Sequence, residues 1–136
     1  MTTAMLDRLD HGLQSEVLSK AFWALGHPMR MRIVRMLMDE GEKGVGQIAE
    51  RLPVSQPQVS VHLKCLTDCG FLSVRREGRR AYYRVASPWV AGLLSLMRDH
   101  AETYCAELLV CVGCAPSELP DDLDPTVIAA ATGTDG

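Results

Sequence analysis

Two cysteines four residues apart, Cys65 and Cys69, are the side chains whose type and spacing most directly suggest chemistry in this sequence. They lie near the end of Ser55–Gly70, a segment with the residue pattern of a helix. Residues four apart lie on the same face of a helix, about one turn from each other. Two thiolates at that spacing can bind one soft metal ion together. The segment therefore carries a candidate thiophilic site.

The angular position of the two cysteines on this helix leaves two interpretations open. At about 100° per residue, an apolar cluster occupies a narrow arc, and Cys65 and Cys69 lie together about a quarter turn away from it. They are therefore not central core residues. Free cysteine is often buried, however, so packing at the edge of the core competes with a role as ligand. The apolar cluster consists of Val59, Leu63 and Leu66.

The size and composition of the chain are those of one small globular domain. It has 136 residues, of which 47% are hydrophobic and 23% charged. The N-terminal residues lack the basic start and apolar run of a secretory signal, and no stretch approaches the roughly 20 apolar residues that span a bilayer. We therefore expect a cytoplasmic protein without a membrane partner. Its five cysteines are then expected to be thiols, ligands or redox centres rather than structural disulfides.

Charge is distributed very unevenly along the chain, although the net value is only −3. Residues Ser55–Val85 contain six basic and two acidic side chains, a local charge of +4. Residues Pro116–Gly136 contain five acids and neither lysine nor arginine, a local charge of −5. Local charge, not the total, decides attraction to phosphate. The distribution predicts a basic module that binds nucleic acid. The acidic tail hides the charge of this module in the net charge of the chain.

Apolar residues recur at the three- and four-residue steps of a helix in five places. Gly26 and Pro28 separate the first two helices, because glycine suits a helix end and proline a helix start. Ser55 is the expected N-cap of the fourth helix, and Pro57 lies in its first turn. The predicted helices are Leu13–Leu25, Met29–Asp39, Val45–Leu52, a fourth from Ser55 to near Gly70, and a long fifth from Pro88 to near Val110.

The segments between these helices contain one hairpin signal. Two β-prone runs flank Glu77 and Gly78 within Phe71–Val85, which predicts a hairpin with a basic tip. Residues Glu40–Gly44 are predicted as a turn. The long fifth helix carries a continuous apolar seam, and such a seam on a terminal helix favours packing against a partner helix.

The order of short helix, tight turn, second helix and basic hairpin predicts a winged helix-turn-helix, mainly α with a small β-hairpin. The second helix of such a pair enters the major groove of DNA, with its N-terminal part nearest the bases. Glutamine, serine and lysine can contact bases or phosphates, and arginines on a hairpin would lie on the backbone or in the minor groove. The alternative is that these residues form solvated faces of a small helical domain. The candidate DNA-binding residues are Gln56, Gln58, Ser60, Val61, His62 and Lys64 on the helix and Arg75, Arg76, Arg79 and Arg80 on the hairpin.

Three motifs resemble one known family of bacterial repressors, ArsR/SmtB. Residues Ala24–Ile33, ALGHPMRMRI, resemble its opening motif ALADPTRxRIL. Residues Gln58–Leu66, QVSVHLKCL, are similar to its recognition helix xVSxHLxxL. Residues Gly70–Val85 resemble its wing, GLVxxxREGRxVYYxL. The similarity covers roughly residues 18–110. It implies a homodimeric winged-helix repressor whose first and last helices form the dimer interface.

Within that family, two cysteines separated by three residues at the end of the recognition helix resemble the cadmium- and lead-sensing branch. Those sensors complete the site with a cysteine near the C-terminus of the other subunit. In this chain the resemblance implies Cys111 as the favoured third ligand and Cys114 as the next candidate. Cys105 falls on the apolar seam of the last helix, so packing and ligation are equally open for it.

The sequence departs from two other patterns of the family. The segment ELCVCDL of arsenic and cadmium sensors is absent, because Gly46–Glu50 stands at its place without cysteine. Asp99, His100 and Glu102 have the wrong spacing for the zinc site of the last helix. An all-thiolate ligand set favours a soft ion, namely Cd²⁺, Pb²⁺, Hg²⁺ or trivalent arsenic, and no organic cofactor is expected.

We therefore expect an operator-binding repressor with an N-terminal arm at residues 1–12, a winged-helix domain at 13–112 and an acidic, largely disordered tail at 113–136. Binding of the ion to thiolates would release the operator DNA. An alternative keeps the same fold but makes the switch a thiol redox or persulfide event. A thiol oxidoreductase using Cys111 and Cys114 is disfavoured, because the strand-helix context of thioredoxin-like enzymes is missing. No nucleophile-base pattern indicates another enzyme.

Overall fold

The computed structural model describes residues 4–110 of the chain. Cys111, Cys114 and the acidic tail predicted at 113–136 lie outside the described residues, so the predictions for them stay predictions. The contacts divide the chain into two units, Met1–Ala91 and Gly92–Gly136. No helix within residues 4–110 is both long enough and apolar enough to cross a membrane.

The elements follow the predicted order of helices and hairpin. Winged helix-turn-helix architecture is thereby confirmed, with two local differences in the segment before the third helix and in the last helix. After a short 3₁₀ helix at Leu6–Arg8, the elements are α1 His11–Leu25, α2 Pro28–Glu40, β1 Lys43–Gly44, α3 Val45–Ala49, α4 Gln56–Asp68, β2 Leu72–Glu77, β3 Arg80–Val85, α5 Pro88–Thr103 and α6 Cys105–Val110.

The sheet has three antiparallel strands in the order β1-β3-β2, so the hairpin gains one strand that the sequence did not predict. Val74 pairs with Tyr83 in the hairpin, and Gly44 of β1 pairs with Tyr82 on the outer side of β3. The segment predicted as a turn, Glu40–Gly44, therefore ends in a strand. Two residues are too few to show an alternating pattern, and this strand exists only because β3 supplies its hydrogen-bonding partner.

The core of the first unit is built around α4. Its apolar stripe, Val59, Leu63 and Leu66, is fully buried. The helix contacts α1, α2, α3 and β2, so this stripe lies at the centre of the packed elements. Complete burial of one such side chain stabilises the fold by about 1.5–3 kcal/mol. The other fully buried large side chains include Ile33, Val34, Ile48, Phe71 and Val90.

A buried arginine closes the end of α1. The Nε atom of Arg30 donates a hydrogen bond to the carbonyl of Ala24 at 2.6 Å, and its Nη2 atom donates to the carbonyl of Trp23 at 3.3 Å. Its guanidinium carbon also lies 4.6 Å from the centre of the Trp23 ring. The last carbonyls of a helix lack partners within the helix, so Arg30 of α2 satisfies two of them. The Arg30 side chain is only 7% exposed, and its hydrogen bonds join α1 to α2.

The long fifth helix differs from its prediction, because it is divided at Tyr104 into α5 and α6. The hydrogen bonds from the Tyr104 amide to the His100 carbonyl and from the Leu108 amide to the Tyr104 carbonyl continue across the division. The hydroxyl of Thr103 donates to the carbonyl of Asp99 at 3.2 Å. Such side-chain bonding to the preceding turn bends helices, which accounts for a local irregularity here.

The start of α4 has the reciprocal cap expected for Ser55. The Ser55 hydroxyl oxygen accepts the amide hydrogen of Gln58 at 3.4 Å, and the Gln58 side-chain oxygen accepts the amide hydrogen of Ser55 at 3.1 Å. This capping box satisfies two amide groups that the helix leaves without partners. It fixes the residue at which the recognition helix begins.

Replacing this cap should destabilise the protein without touching its core. We expect Ser55→Ala to lower the free energy of unfolding by about 1 kcal/mol, the usual contribution of a serine N-cap. Urea unfolding followed by circular dichroism measures the change. The matched control is Ser60→Ala, an exposed substitution inside the same helix, which should change stability by only a few tenths of a kcal/mol. Equal losses in both variants would contradict the capping role.

Candidate nucleic-acid interface and thiol pair

Helix α4 presents a solvent-facing stripe on the side away from its core. Successive residues turn by about 100°, which places Ser60, Val61 and Lys64 on this side, and Gln56 lies one turn before Ser60 at the start of the helix. All four are exposed, and Val61 has 67% of its surface in contact with solvent although it is apolar. This exposure leaves the stripe accessible to a large partner. We call Gln56, Ser60, Val61 and Lys64 the groove stripe.

The polar side chains on and beside the groove stripe differ in the hydrogen bonds and ion pairs that they already form within the protein. The Lys64 ammonium pairs with the Asp68 carboxylate at 2.9 Å, one helical turn further on. The amide of Gln58 is held in the cap of Ser55. The side chains of Gln56 and Ser60 form no hydrogen bond within residues 4–110. Gln58 is thus a structural residue of the helix start, whatever else it contacts.

His62 lies against α2 rather than in the groove stripe. It is half-buried, and its ring centre is 4.5 Å from that of His27. The Nδ1 atom of His27 accepts the Met29 amide hydrogen at 3.1 Å, which caps α2, whereas the Nδ1 atom of His62 is buried without a partner among the described residues. Burial lowers the pKa of His62, and the proximity of His27 and Arg30 lowers it further.

The two cysteines form a thiol pair on the same side of α4 as His62. Cys65 is half-buried and Cys69 exposed, and the two residues lie one helical turn apart at the end of α4. Partial burial raises the pKa of the Cys69 thiol, and the neighbouring Cys65 and the charge of Asp68 raise it further, against the opposing charge of Arg30. The Cys69 side chain is therefore a protonated thiol at neutral pH.

The described residues contain part of the candidate soft-metal site. Within residues 4–110, no three histidine, cysteine or acidic side chains lie close enough to hold one ion together. Cys65 and Cys69 nevertheless supply two sulfur atoms one helical turn apart, which suits a thiophilic ion. Cys105, at the start of α6, is an exposed free thiol.

The hairpin arginines fall into two groups. Arg76, Arg79 and Arg80 are exposed, and none of them forms an ion pair within the part of the chain that the structure describes. Arg75 is also on the surface, but its guanidinium contacts the carboxylates of Glu42 and Glu77. The sequence placed all four arginines together because their residue type and spacing are alike. The partner Glu42 is distant in sequence, so no local signal indicated the difference.

Comparison with known proteins agrees with this architecture. The family model described as bacterial regulatory protein, arsR family, matches residues 27–74. A probable mercury resistance operon repressor of Streptomyces lividans is 40% identical over 93 residues, which are 68% of this chain and 74% of that protein. An arsenic resistance transcriptional regulator of Pseudomonas putida is 35% identical over 81 residues, which are 57% of this chain and 63% of that protein.

A solved structure gives the same fold. The solution structure of a homodimeric winged helix-turn-helix DNA-binding domain from Mycobacterium bovis, a possible ArsR-family regulator, matches with a TM-score of 0.63 and 28% identity. The match covers 76% of this chain and 93% of that one. Fold and relatives define the class as DNA-binding transcriptional regulators rather than enzymes. Within that class, the chain belongs to the arsR family of bacterial regulatory proteins.

The buried face of His62 should make stability depend on pH. Folding lowers the pKa of His62, so the folded state binds a proton more weakly than the unfolded state does. The neutral ring therefore makes its full contribution to the free energy of unfolding above pH 6.5, and this contribution is lost as the pH falls below that value. We expect the wild type to lose more stability between pH 7.5 and 5.5 than His62→Gln does. Chemical unfolding at both pH values measures this. The control His11→Gln, at an exposed position of α1, should keep the wild-type dependence.

Proposed function

We propose that this chain is a metal-responsive transcriptional repressor that binds operator DNA as a homodimer in the cytoplasm. A soft thiophilic ion bound through Cys65 and Cys69 would release it from DNA. One observation carries the proposal, namely that the thiol pair and the groove stripe share helix α4. Any ligand that pulls on the sulfur atoms acts on the same rigid element that faces the DNA.

The groove stripe has the chemistry needed to read a major groove. Gln56 lies in the first turn of α4, and a glutamine can contact adenine with two hydrogen bonds. Ser60 offers a hydroxyl to a base or a phosphate, and exposed Val61 suits contact with a thymine methyl group. Lys64 is placed to exchange its partner Asp68 for a phosphate. Arg76, Arg79 and Arg80 would contact the backbone or the adjacent minor groove.

Homodimerisation is supported by the apolar surface of α1. Phe22 and Trp23 are exposed to 60% and 64%, and three further apolar residues of this helix are also exposed. A second copy of the chain would cover such a surface, as expected for the first helix of this family. The relative from Mycobacterium bovis is described as homodimeric. A twofold dimer would place two α4 helices one DNA turn apart on a pseudopalindromic operator. The other exposed apolar residues of α1 are Leu13, Val17 and Leu18.

The ion would be held entirely by sulfur. Cys65 and Cys69 contribute two ligands, and Cys111 or Cys114 of a second copy is proposed to complete the set, with Cys105 as the remaining candidate. The relatives named for mercury and arsenic resistance support a soft effector, and the spacing of the pair supports the cadmium- and lead-sensing branch. Thiols must lose their protons to bind such an ion. Because the pKa of Cys69 is raised, ion binding should release a proton at neutral pH.

Release from DNA requires only that the ion favour an arrangement with weaker operator affinity. The thiol pair lies beside the contact of α4 with α2, where His62 meets His27. A ligand from another part of the dimer would therefore restrain α4 on the side adjacent to its core. Coupling energies of this kind change affinity by about 5-fold to 150-fold.

Operator binding with and without the ion tests the proposal. Fluorescence anisotropy on a duplex selected from a random library should show tight binding by the reduced protein. Saturating Hg²⁺ or Cd²⁺ should weaken that binding by at least about tenfold. Cys65→Ser and Cys69→Ser should keep operator affinity in the absence of ion and lose most of the response.

The matched control is Cys105→Ser, which removes an exposed thiol from α6 while leaving the pair on α4 intact. If Cys105 is not a ligand, this variant responds as the wild type does, and a lost response assigns it as the third sulfur. Unchanged operator affinity at saturating Hg²⁺, Cd²⁺, Pb²⁺ and trivalent arsenic would rule out the metal-responsive repressor.

A thiol redox switch is the second candidate, and the exposed free thiols of Cys69 and Cys105 favour it. An oxidant such as peroxide or polysulfide would convert one of these thiols and a distal cysteine to a disulfide or polysulfide link. The raised pKa of Cys69 argues against it, because the thiolate is the reactive form. Mass spectrometry after exposure to each oxidant separates the two functions, since only the redox switch adds a covalent link while releasing DNA.

A further inference from the structure

One arginine of the hairpin is held by two carboxylates and an aromatic ring. The Nη2 atom of Arg75 donates to Oε1 of Glu42 at 2.7 Å, and its Nε atom donates to the same oxygen at 3.2 Å. Its Nη1 atom donates to Oε2 of Glu77 at 2.8 Å. The guanidinium carbon lies 4.7 Å from the centre of the Tyr82 ring. We call Arg75, Glu42, Glu77 and Tyr82 the wing clamp.

The wing clamp joins parts of the chain that are far apart in sequence. Arg75 and Glu77 lie on β2, Tyr82 is the cross-strand partner of Arg75 on β3, and Glu42 precedes β1. Glu42 belongs to the segment that connects α2 to α3. The clamp therefore connects the hairpin to the helices that carry the DNA-binding module, on one face of the sheet.

The segment that carries Glu42 is itself restrained on both sides. Glu40 pairs with Arg51, which follows α3, and lies 3.6 Å from the Lys43 ammonium. The backbone φ angle of Gly41 is 83°, a value that residues other than glycine rarely adopt. Glu42 is thus presented to Arg75 from a segment with little freedom. A guanidinium held from two sides by such partners has a defined direction.

We propose that Arg75 is a positioning residue that sets the angle of the wing, and that it does not contact DNA. The proposal rests on the DNA-binding function and concerns which arginines carry it. Arg76, Arg79 and Arg80 remain the phosphate-contacting residues of the hairpin. Arg75, although identical in type, holds the hairpin so that those three arginines meet the DNA backbone.

The charge around Arg75 supports this division of roles. A phosphate would have to displace two charge-assisted hydrogen bonds, which are stronger than neutral ones. It would also approach the carboxylates of Glu42 and Glu77, whose combined charge exceeds that of the one guanidinium. Hydrogen bonding to Arg75 lowers the pKa of Glu42, so this carboxylate stays charged at neutral pH. No such acidic pair surrounds Arg79 or Arg80 among the described residues.

Replacing Glu42 by a neutral side chain distinguishes phosphate contact from wing positioning by Arg75, because the two roles predict opposite changes in operator affinity. If Arg75 contacted phosphate, Glu42→Gln would free the arginine and remove a repulsive charge, so operator binding would tighten. If Arg75 positions the wing, the same substitution should weaken binding by about threefold to fivefold, as expected for a partly exposed ion pair. The control Glu50→Gln removes an exposed carboxylate without an ion pair in the described residues, and should not weaken binding.

The salt dependence of binding gives a second readout, because a small change in wing angle lengthens the phosphate contacts of the other three arginines without removing any of them. Each phosphate contact contributes about 0.9 to the slope of log affinity against log salt concentration. We expect Arg75→Gln to weaken binding several-fold while keeping the wild-type slope. Arg79→Gln, the matched arginine substitution, should reduce the slope by about 0.9 for each contact that it removes. Arg75→Lys should stay as weak as Arg75→Gln, because an ammonium cannot make the forked contact.

The results separate this inference from the function on which it rests. A wild-type protein that binds no selected duplex would end the proposed function itself. A wild type that binds normally, with Glu42→Gln tighter than wild type, would overturn only the positioning role. A slope reduced by Arg75→Gln as much as by Arg79→Gln, or full affinity in Arg75→Lys, would also overturn it. Weaker binding of Glu42→Gln with an unchanged slope in Arg75→Gln would establish it.

Discussion

The burial of one apolar stripe on α4 determines where every other face of that helix points. Val59, Leu63 and Leu66 are completely removed from solvent among four neighbouring elements. Each such side chain contributes about 1.5–3 kcal/mol, more than an exposed ion pair such as Lys64 with Asp68. Rotation of the helix by one residue would bury charge and expose leucine. Hydrophobic packing therefore aims the polar groove stripe at solvent and the sulfur atoms toward its flank.

The sequence predicted those parts of the structure that depend on neighbours along the chain. Helical spacing gave the apolar stripe of α4, and Ser55 with Pro57 gave its first turn. It did not predict β1, which exists only through pairing with β3. It placed His62 among groove-facing residues, whereas the structure turns its ring toward His27. These features depend on contacts between distant residues, for which a single sequence carries no periodic signal.

The candidate site shows the same division between local pattern and distant contact. Helical spacing placed Cys65 and Cys69 together at the end of a helix, and in the structure Cys69 is the C-cap of α4, one turn after Cys65. Their joint role as metal ligands stays a prediction. The hairpin arginines were recognised as one basic group from their spacing, but Glu42 separates Arg75 from the rest. Arg30 likewise belongs to a motif shared with the family, and its burial against the end of α1 follows only from the packing of two helices. The type of a residue determines which interactions it can form, and its neighbours in the fold determine which of these interactions it does form.

The stacking of Arg30 on Trp23 has a practical consequence for following this molecule in solution. The chain contains two tryptophans, and they occupy different surroundings. Trp23 lies under a cation at the end of α1, whereas the ring centre of Trp89 is 5.6 Å from that of Phe71 at the base of the hairpin. The emission of an indole responds to nearby charge and to solvent. Variants that each keep a single tryptophan would therefore give two separate fluorescent reporters, one for changes at the end of α1 and the other for changes at the base of the hairpin.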